Sequence, residues 1–273
     1  MYRGDRLIII NIVIGIILSL VIVYPAYKKD SLTISGAVTA VILGSIIYSF
    51  GSIYHFIILV SFFISSSVLT KFKEKSKEAF EKVNDKTGKR DYTQVLANGV
   101  IGAIFVLLEY VNKSPEFFLA FSVSFAVSTA DTWASEIGVL SKKNPVRIIT
   151  FKPVPKGISG GISSLGLFAS FLGAAFISVL TFGFSFIIYK DLVMSMYFML
   201  ICMILGFLGS IIDSVLGATV QAQYLDNQTN NLTEKKITQN GNAQLVRGIR
   251  IVDNNMVNFL SNLITSILVF IVL

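Results

Sequence analysis

Two carboxylates, Asp131 and Glu136, sit in a stretch that otherwise reads as membrane helix, Thr129–Gly138 (TADTWASEIG). An ionisable side chain at a bilayer centre costs roughly 2.5–3.5 kcal/mol on insertion scales, so a chain that keeps two so close together is expected to use them. On a helix, Ser124, Ser128, Asp131, Ser135 and Gly138 recur at spacings of three and four and share one face, with Thr132 and Glu136 in an adjacent row. At 3.6 residues per turn the carboxylates point roughly 140° apart, so they can border one pocket without forming a side-by-side pair. A seam of small polar residues that holds helices together accounts for the serines and leaves the acids unexplained.

Downstream lies Lys152–Gly166 (KPVPKGISGGISSLG). Gly157, Gly160 and Gly161 let backbone N–H groups turn toward an anion, Ser159, Ser163 and Ser164 add hydroxyls, and Lys152 and Lys156 add charge just before a helix N-terminus. The segment reads either as a phosphate cradle or as an ordinary glycine-rich return into the membrane. A second acidic span carries Gly206, Gly209, Ser210, Asp213, Ser214 and Gly217 on one small-residue face, with Gln221 and Gln223 following. Asn98 after Gln94, and Asp253, Asn254, Asn255 and Asn258 before the last span, place amides where helices meet one membrane face; they either cap helices or line the same pocket.

The elements that must position these groups are membrane spans. Hydrophobic residues make up 53% of the chain and charged ones 14%, with a mean hydropathy of +0.72, and apolar runs of spanning length recur from Leu7 to Leu273. The fold class is therefore all-α: a single polytopic transmembrane helical bundle over 1–273, with spans near 7–25, 32–50, 53–70, 93–111, 117–139, 161–188, 192–217 and 256–273. Eight is the count, with six or seven also fitting the pattern, because the glycine-rich runs 32–50 and 161–188 could be broken or re-entrant. The first run leads into Pro25, Tyr27, Lys28 and Lys29 instead of a small-residue cleavage site, and reads as a retained helix.

Three long connections, 71–91, 141–160 and 218–255, fall on one side under eight spans. The first carries eight Lys/Arg against five Asp/Glu, and the second carries five cations and no acid. The positive-inside rule makes that side cytoplasmic and puts both termini outside, although Arg3 and Arg6 then lie on the outer face. Glu74, Glu78 and Lys82, four apart, suggest a charged helix running out of the third span.

The formal charge of +7 resides in loops and favours anionic partners such as lipid headgroups or phosphate esters; so little soluble mass argues against nucleic acid. Cys202 is the single cysteine, which excludes an intramolecular disulfide and a cysteine zinc cluster. The single histidine, His55, reads as an interfacial residue and not as a base or a metal ligand. Val83–Arg90 (VNDKTGKR) fails the P-loop pattern at its first and last positions, and no G-x-S-x-G elbow occurs. What remains is carboxylates, glycine-rich backbone, amides and Lys/Arg at one face. That set suits Mg2+ held by a few carboxylates and by substrate phosphates, in a reaction where positioning and charge neutralisation supply most of the rate.

Five segments in order, Phe62–Lys71 (FFISSSVLTK), Arg90–Gly99 (RDYTQVLANG), Thr129–Gly138, Lys156–Gly166 (KGISGGISSLG) and Gly209–Gln221 (GSIIDSVLGATVQ), resemble the integral membrane family labelled domain of unknown function 92. The resemblance spans about residues 30–270, and that family includes plant phytyl-phosphate kinases of the tocopherol pathway. The acidic-then-glycine-rich pair of segments is also similar to CTP-using membrane enzymes, phytol and dolichol kinases and CDP-diglyceride synthetases. The resemblance implies a nucleotide-dependent kinase acting on an isoprenyl or other lipid monophosphate, with CTP as the donor.

On that reading Asp131, Glu136 and Asp213 are catalytic, with Asp131 and Asp213 as metal ligands. Lys152, Lys156, Gly157, Ser159, Gly160 and Gly161 bind phosphates, Asn98, Ser135, Asn254 and Asn258 complete the pocket, and apolar seams between spans take the lipid tail. The site then faces the cytoplasm from an inner or plasma membrane. Cytidylyl transfer to a lipid phosphate, an ion-coupled secondary transporter built on the same carboxylates and a lipid-binding scaffold are the rival readings.

Overall fold

The computed structural model describes residues 3–72, 88–228, 231–238 and 241–273. Eight helices run through them: α1 Arg3–Lys28, α2 Ile34–Phe50, α3 Ile53–Lys71, α4 Tyr92–Asn112, α5 Pro115–Gly138, α6 Ser164–Tyr189, α7 Leu192–Thr219 and α8 Asn254–Val272. Seven are long and apolar enough to cross a membrane, and α2, at 17 residues, is a shorter apolar helix. The expected all-α polytopic bundle is the observed one. Neither glycine-rich run is broken: α2 and α6 are continuous, and the glycines at 157, 160 and 161 lie in the loop before α6. The charged helix expected beyond the third span falls at 73–87, outside the described residues, as does most of the rejected P-loop-like stretch.

Side-chain caps set the starts. Thr33 Oγ1, Asp91 Oδ1, Ser163 Oγ, Asp191 Oδ1 and Asp253 Oδ1 each accept the N–H three residues on, satisfying a donor that has no partner within its helix. Chain reversals alternate strictly. The ends of α1, α3, α5 and α7 and the starts of α2, α4, α6 and α8 share one end of the bundle, which carries the long connections. The other end has only tight turns. Two of these place Lys113 and Lys190 in the left-handed region, φ 58° and 57°, where their N–H groups close the preceding helix onto Glu109 O and Phe186 O. At that end His55 is buried, not interfacial: its Nε2 lies 2.8 Å from Glu109 Oε2, its Nδ1 lies 2.9 Å from Ser52 Oγ, and its ring packs between Phe118 and Phe121.

At the opposite end two connections fold as short antiparallel pairings that an all-α reading did not contain. Strands β1 (Val146–Arg147) and β2 (Gly161–Ile162) close a hairpin across the glycine-rich loop. Between α7 and α8, β3 (Gln223–Leu225) is flanked by β4 (Leu232–Thr233) and β7 (Gln244–Arg247), beside the pair β5 (Ile237–Thr238) and β6 (Gly241–Asn242). At two to four residues each, these strands are too short to show alternation in sequence.

Helix α5 is the axis of the bundle and packs against α3, α4, α6, α7 and α8. Its first two-thirds is buried on every side, with Phe118, Leu119, Phe121, Val123, Phe125 and Val127 in the core. Most of its hydroxyls turn back onto their own helix: Ser122, Thr129 and Thr132 donate to carbonyls four residues earlier and Ser124 to one three earlier. Ser128 alone of this group reaches across, to Asn98 O on α4 and Asn262 Oδ1 on α8. Close approach is permitted by missing side chains. A Cβ on Gly173 of α6 would meet the Thr129 carbonyl at 3.0 Å, and one on Gly209 of α7 would meet Val127 Cγ2 at 2.3 Å and Thr265 Oγ1 at 2.9 Å. Gly209→Ala is therefore expected to destabilise the bundle by about 1–3 kcal/mol through overpacking. Gly183→Ala, where nothing lies within 4 Å, should be neutral or mildly stabilising. Thermal unfolding of both variants in detergent checks the opposite signs.

Candidate functional site

Asp131 projects from α5 a little under two turns before the helix ends, roughly 10 Å in at 1.5 Å per residue, and Asp213 sits at a similar depth in α7. Both line one cavity of about 140 Å3, whose remaining wall comes from the loop before α6 and from the first turns of α6 and α8. Of the residues singled out in the sequence, this cavity gathers Asp131, Ser135, Lys156, Gly157, Ser159, Gly160, Gly161, Asp213 and Asn254. They come from four separate regions of the chain.

The glycine-rich loop is fixed from three directions. Gly160 has φ +77°, and a Cβ there would lie 2.6 Å from the Ala218 backbone, so the loop rests directly on the C-terminal turn of α7 and only glycine fits. Ile148 N–H donates to Gly160 O at 2.9 Å, which fixes the loop to the residue after β1. Gly161 N–H closes a turn onto Ile158 O at 3.2 Å. Ser159, expected to offer its hydroxyl to an anion, engages a carboxylate through its backbone: Glu234 Oε1 of the β3–β7 region accepts from its N–H at 3.0 Å. Glu234 is a residue the sequence analysis passed over, because nothing in the spacing of a 38-residue loop ties position 234 to position 159. Lys156 Nζ donates to Ser141 O at 2.5 Å, holding its charge at the cavity wall. Beyond it the N-terminus of α6, capped by Ser163, contributes Ser163, Gly166 and Leu167 to the lining and the positive end of its dipole.

Asp213 is buried and supported from α8. Ser261 Oγ donates to its Oδ2 at 3.0 Å, and Asn258, with its amide nitrogen turned to the carboxylate, donates to the same oxygen at 3.0 Å and to Asn254 O at 3.2 Å. Asn258 thus orients the carboxylate and is not itself part of the cavity wall, while Asn254 is. Ser261, one turn further on, could have been picked out by its i+3 spacing from Asn258.

Besides Asn258, three expected members lie outside the cavity wall. Lys152 lies on the exposed turn after β1, where its carbonyl accepts from Arg147 N. Asn98 donates to Gln94 O within α4 and borders a different, apolar crevice. Glu136 leaves α5 on the side facing α3, where Thr70 Oγ1 donates to its Oε1 at 2.7 Å. The 140° between the two carboxylates is enough for the body of α5 to separate them. Near Glu136 is Arg90, whose Nη1 donates to Ser67 Oγ at 2.8 Å; burial pushes its guanidinium below the ordinary arginine range, and the Glu136 charge opposes that shift.

Among the described residues no three His, Cys, Asp or Glu side chains converge as a metal cage. The donor set at the cavity is two carboxylates with a neighbouring amide. That suits Mg2+, which takes one or two protein carboxylates and completes its shell with water and substrate phosphates. Asp131 and Asp213 would hold it.

The eight-helix bundle with a charged cavity at one end defines a multi-pass integral membrane protein. The profile of the family described as integral membrane protein DUF92 matches residues 17–266, and the chain belongs to that family. It is 32% identical over 281 residues to Protein PGR of Arabidopsis thaliana, covering 94% of each chain. It is similar also to the uncharacterized membrane protein MJ0933 of Methanocaldococcus jannaschii, at 30% over 226 residues, 82% of this chain and 90% of that one. The similarity to Protein VTE6, chloroplastic, of Arabidopsis thaliana is 29% over 152 residues, 54% of this chain and 46% of that one. No solved structure matches the chain.

Replacing Asn258 with Ala should leave a buried Asp213 acceptor short of a donor, at a cost of about 1–3 kcal/mol. The unfolding temperature in detergent should fall, and in an Asp213→Asn background the same replacement should have a much smaller effect.

Proposed function

We propose that this protein transfers a phosphoryl group from a nucleoside triphosphate to an isoprenoid or similar lipid monophosphate at the cytoplasmic face of the membrane. The observation that carries the reading is the convergence of Asp131 and Asp213, from two helices, on Lys156 and the glycine-rich loop in one cavity. Membership of the family supports it, since its resemblance extends to plant phytyl-phosphate kinases, and similarity to CTP-using membrane enzymes makes CTP the favoured donor. The cations of 139–163 lie at the same end of the bundle as the cavity, and the tight turns opposite hold few, which supports a cytoplasmic orientation.

In the reaction a terminal oxygen of the lipid phosphate attacks the γ-phosphorus of the donor. The bond from that phosphorus to the β–γ bridging oxygen breaks, and a nucleoside diphosphate leaves. Two anions must approach each other, so neutralisation and alignment are the main requirements. Lys156, the N-terminus of α6 and the backbone of 157–161 supply positive potential to the phosphates. Asp131 and Asp213 would hold Mg2+, which when bound neutralises charge on the transferred group. Asn258 and Ser261 keep the Asp213 carboxylate turned to the cavity. Glu234 must release Ser159 N–H for a phosphate oxygen to take it, so the β3–β7 region gates the cradle.

The depth of the carboxylates, roughly 10 Å from the helix ends, suits a reaction at the membrane rim better than midplane ion coupling. The test is purified protein in detergent with Mg2+, γ-labelled CTP or ATP and short prenyl monophosphates, scoring label extracted with lipid. Label should appear in a prenyl diphosphate and fall at least a hundredfold in Asp131→Asn with the fold intact; unchanged turnover in that variant overturns the assignment. A product carrying the nucleotide and released pyrophosphate would instead show cytidylyl transfer.

A further inference from the structure

On the other side of α5 from the carboxylate cavity, α1–α4 enclose a narrow crevice of about 70 Å3. Its walls are apolar, with Val23, Leu43, Phe56, Leu59, Phe62 and Phe63 among them, and its polar groups are few: Arg90, Gln94 and Asn98 with Ser19. Arg90 precedes α4, and Gln94 and Asn98 belong to the first two turns of that helix, so all three stand toward the membrane-surface end. Along α3 the lining runs from Phe56 to Phe63, roughly 10 Å at 1.5 Å per residue. At this volume the slot takes the first few carbons of a single apolar chain, and the rest must lie in the surrounding bilayer.

The Arg90 side chain is aimed by its own backbone. Its N–H donates to Ser31 O at 3.1 Å and its carbonyl accepts from Thr33 N–H at 3.0 Å, which ties it to the turn between α1 and α2. Of its five N–H donors, the described hydrogen bonds use one to Ser67 Oγ at 2.8 Å and one to Thr70 Oγ1 at 3.4 Å, and the guanidinium lies over the Phe63 ring. The carboxylates nearby are engaged otherwise: Asp91 caps α4 through Gln94 N–H, Asp30 pairs with Lys89 at 2.6 Å, and Glu136 accepts from Thr70. Among the described residues no carboxylate comes within ion-pair distance of Arg90. A sheltered guanidinium that meets hydroxyls and an aromatic ring retains donors arranged for the planar, forked recognition of a phosphate.

We infer that this crevice is a lipid-phosphate site, in which Arg90 with the Gln94 and Asn98 amides holds a phosphate ester head and the slot between α1, α2, α3 and α4 holds the first carbons of its apolar chain. The site is set apart from the carboxylate cavity by α5 and does not rest on the transfer reading. It gives Asn98 a ligand-facing position away from Asp131.

The test is a binding measurement without Mg2+ or nucleotide, so it is blind to turnover. Farnesyl monophosphate, farnesol and inorganic phosphate are titrated calorimetrically into the purified full chain in detergent. Farnesyl monophosphate should bind saturably, with farnesol and inorganic phosphate each at least tenfold weaker, because only the first engages both head and slot. Arg90→Gln should weaken it at least tenfold. Ala40→Leu, which fills the slot and leaves the guanidinium in place, should do the same and decides the matter if Arg90→Gln does not fold. Without Mg2+ to bridge a phosphate to that carboxylate, Asp131→Asn should leave this affinity within about twofold. The inference is overturned if Asp131→Asn abolishes binding while Arg90→Gln and Ala40→Leu do not, which would place the lipid phosphate in the carboxylate cavity. Equal affinity for inorganic phosphate or for farnesol would also overturn it, by removing the need for the chain or for the cation.

Discussion

The close packing of five helices around α5 is the constraint on which the rest of this molecule depends. A membrane offers no hydrophobic gain for bringing helices together, so their association rests on tight contact and on internally satisfied polar groups. Here contact is obtained by glycines on the neighbours, at 173 and 209, meeting backbone and short side chains of α5. Satisfaction comes from serines and threonines that bond back to their own helix. Because α5 is gripped on all sides along its first two-thirds, its last two turns are held at a defined height and rotation. Asp131 and Glu136 occupy those turns.

That rotation divides the acidic segment between two environments. Asp131 faces α6, α7 and the glycine-rich loop, and joins Asp213. Glu136 faces α3, Thr70 and the neighbourhood of Arg90. One helix therefore serves as a partition between a polar cavity with two carboxylates and an apolar slot with one sheltered cation. The first combines Asp131 and Asp213 with Lys156, the second has Arg90 as its one charged lining residue, and α5 stands between them.

The extramembrane connections at this end also act as structure. A two-residue hairpin and a small three-stranded sheet hold the glycine-rich loop against α7, with Gly160 pressed on Ala218 and Glu234 on Ser159 N–H. The Glu234 carboxylate on that N–H ties the β3–β7 region to the glycine-rich loop.

Hydropathy alone determined the helices of this chain, because a backbone crossing hydrocarbon must bond to itself and needs about 20 apolar residues to do so. The eight helices, seven of them of spanning length, the sharing of one end by the long loops and the placing of Asp131 and Ser135 on one face follow from local periodicity. So does the caps' chemistry, as at Asp91 and Asp253. What only tertiary structure decided is which faces meet. Lys152 and Lys156 are four residues apart in similar surroundings, yet one lies on an exposed turn and the other lines the cavity, because the hairpin pairing of Val146 with Ile162 turns the chain between them. Asn98 and Asn258 are both amides near helix starts, yet one borders the slot and the other orients Asp213. Glu234 and Arg90 acquire their positions from contacts 75 and about 20 residues away along the chain. Local spacing specifies the face of a helix, but the rotation and register of that face against its neighbours come from packing between segments distant in sequence.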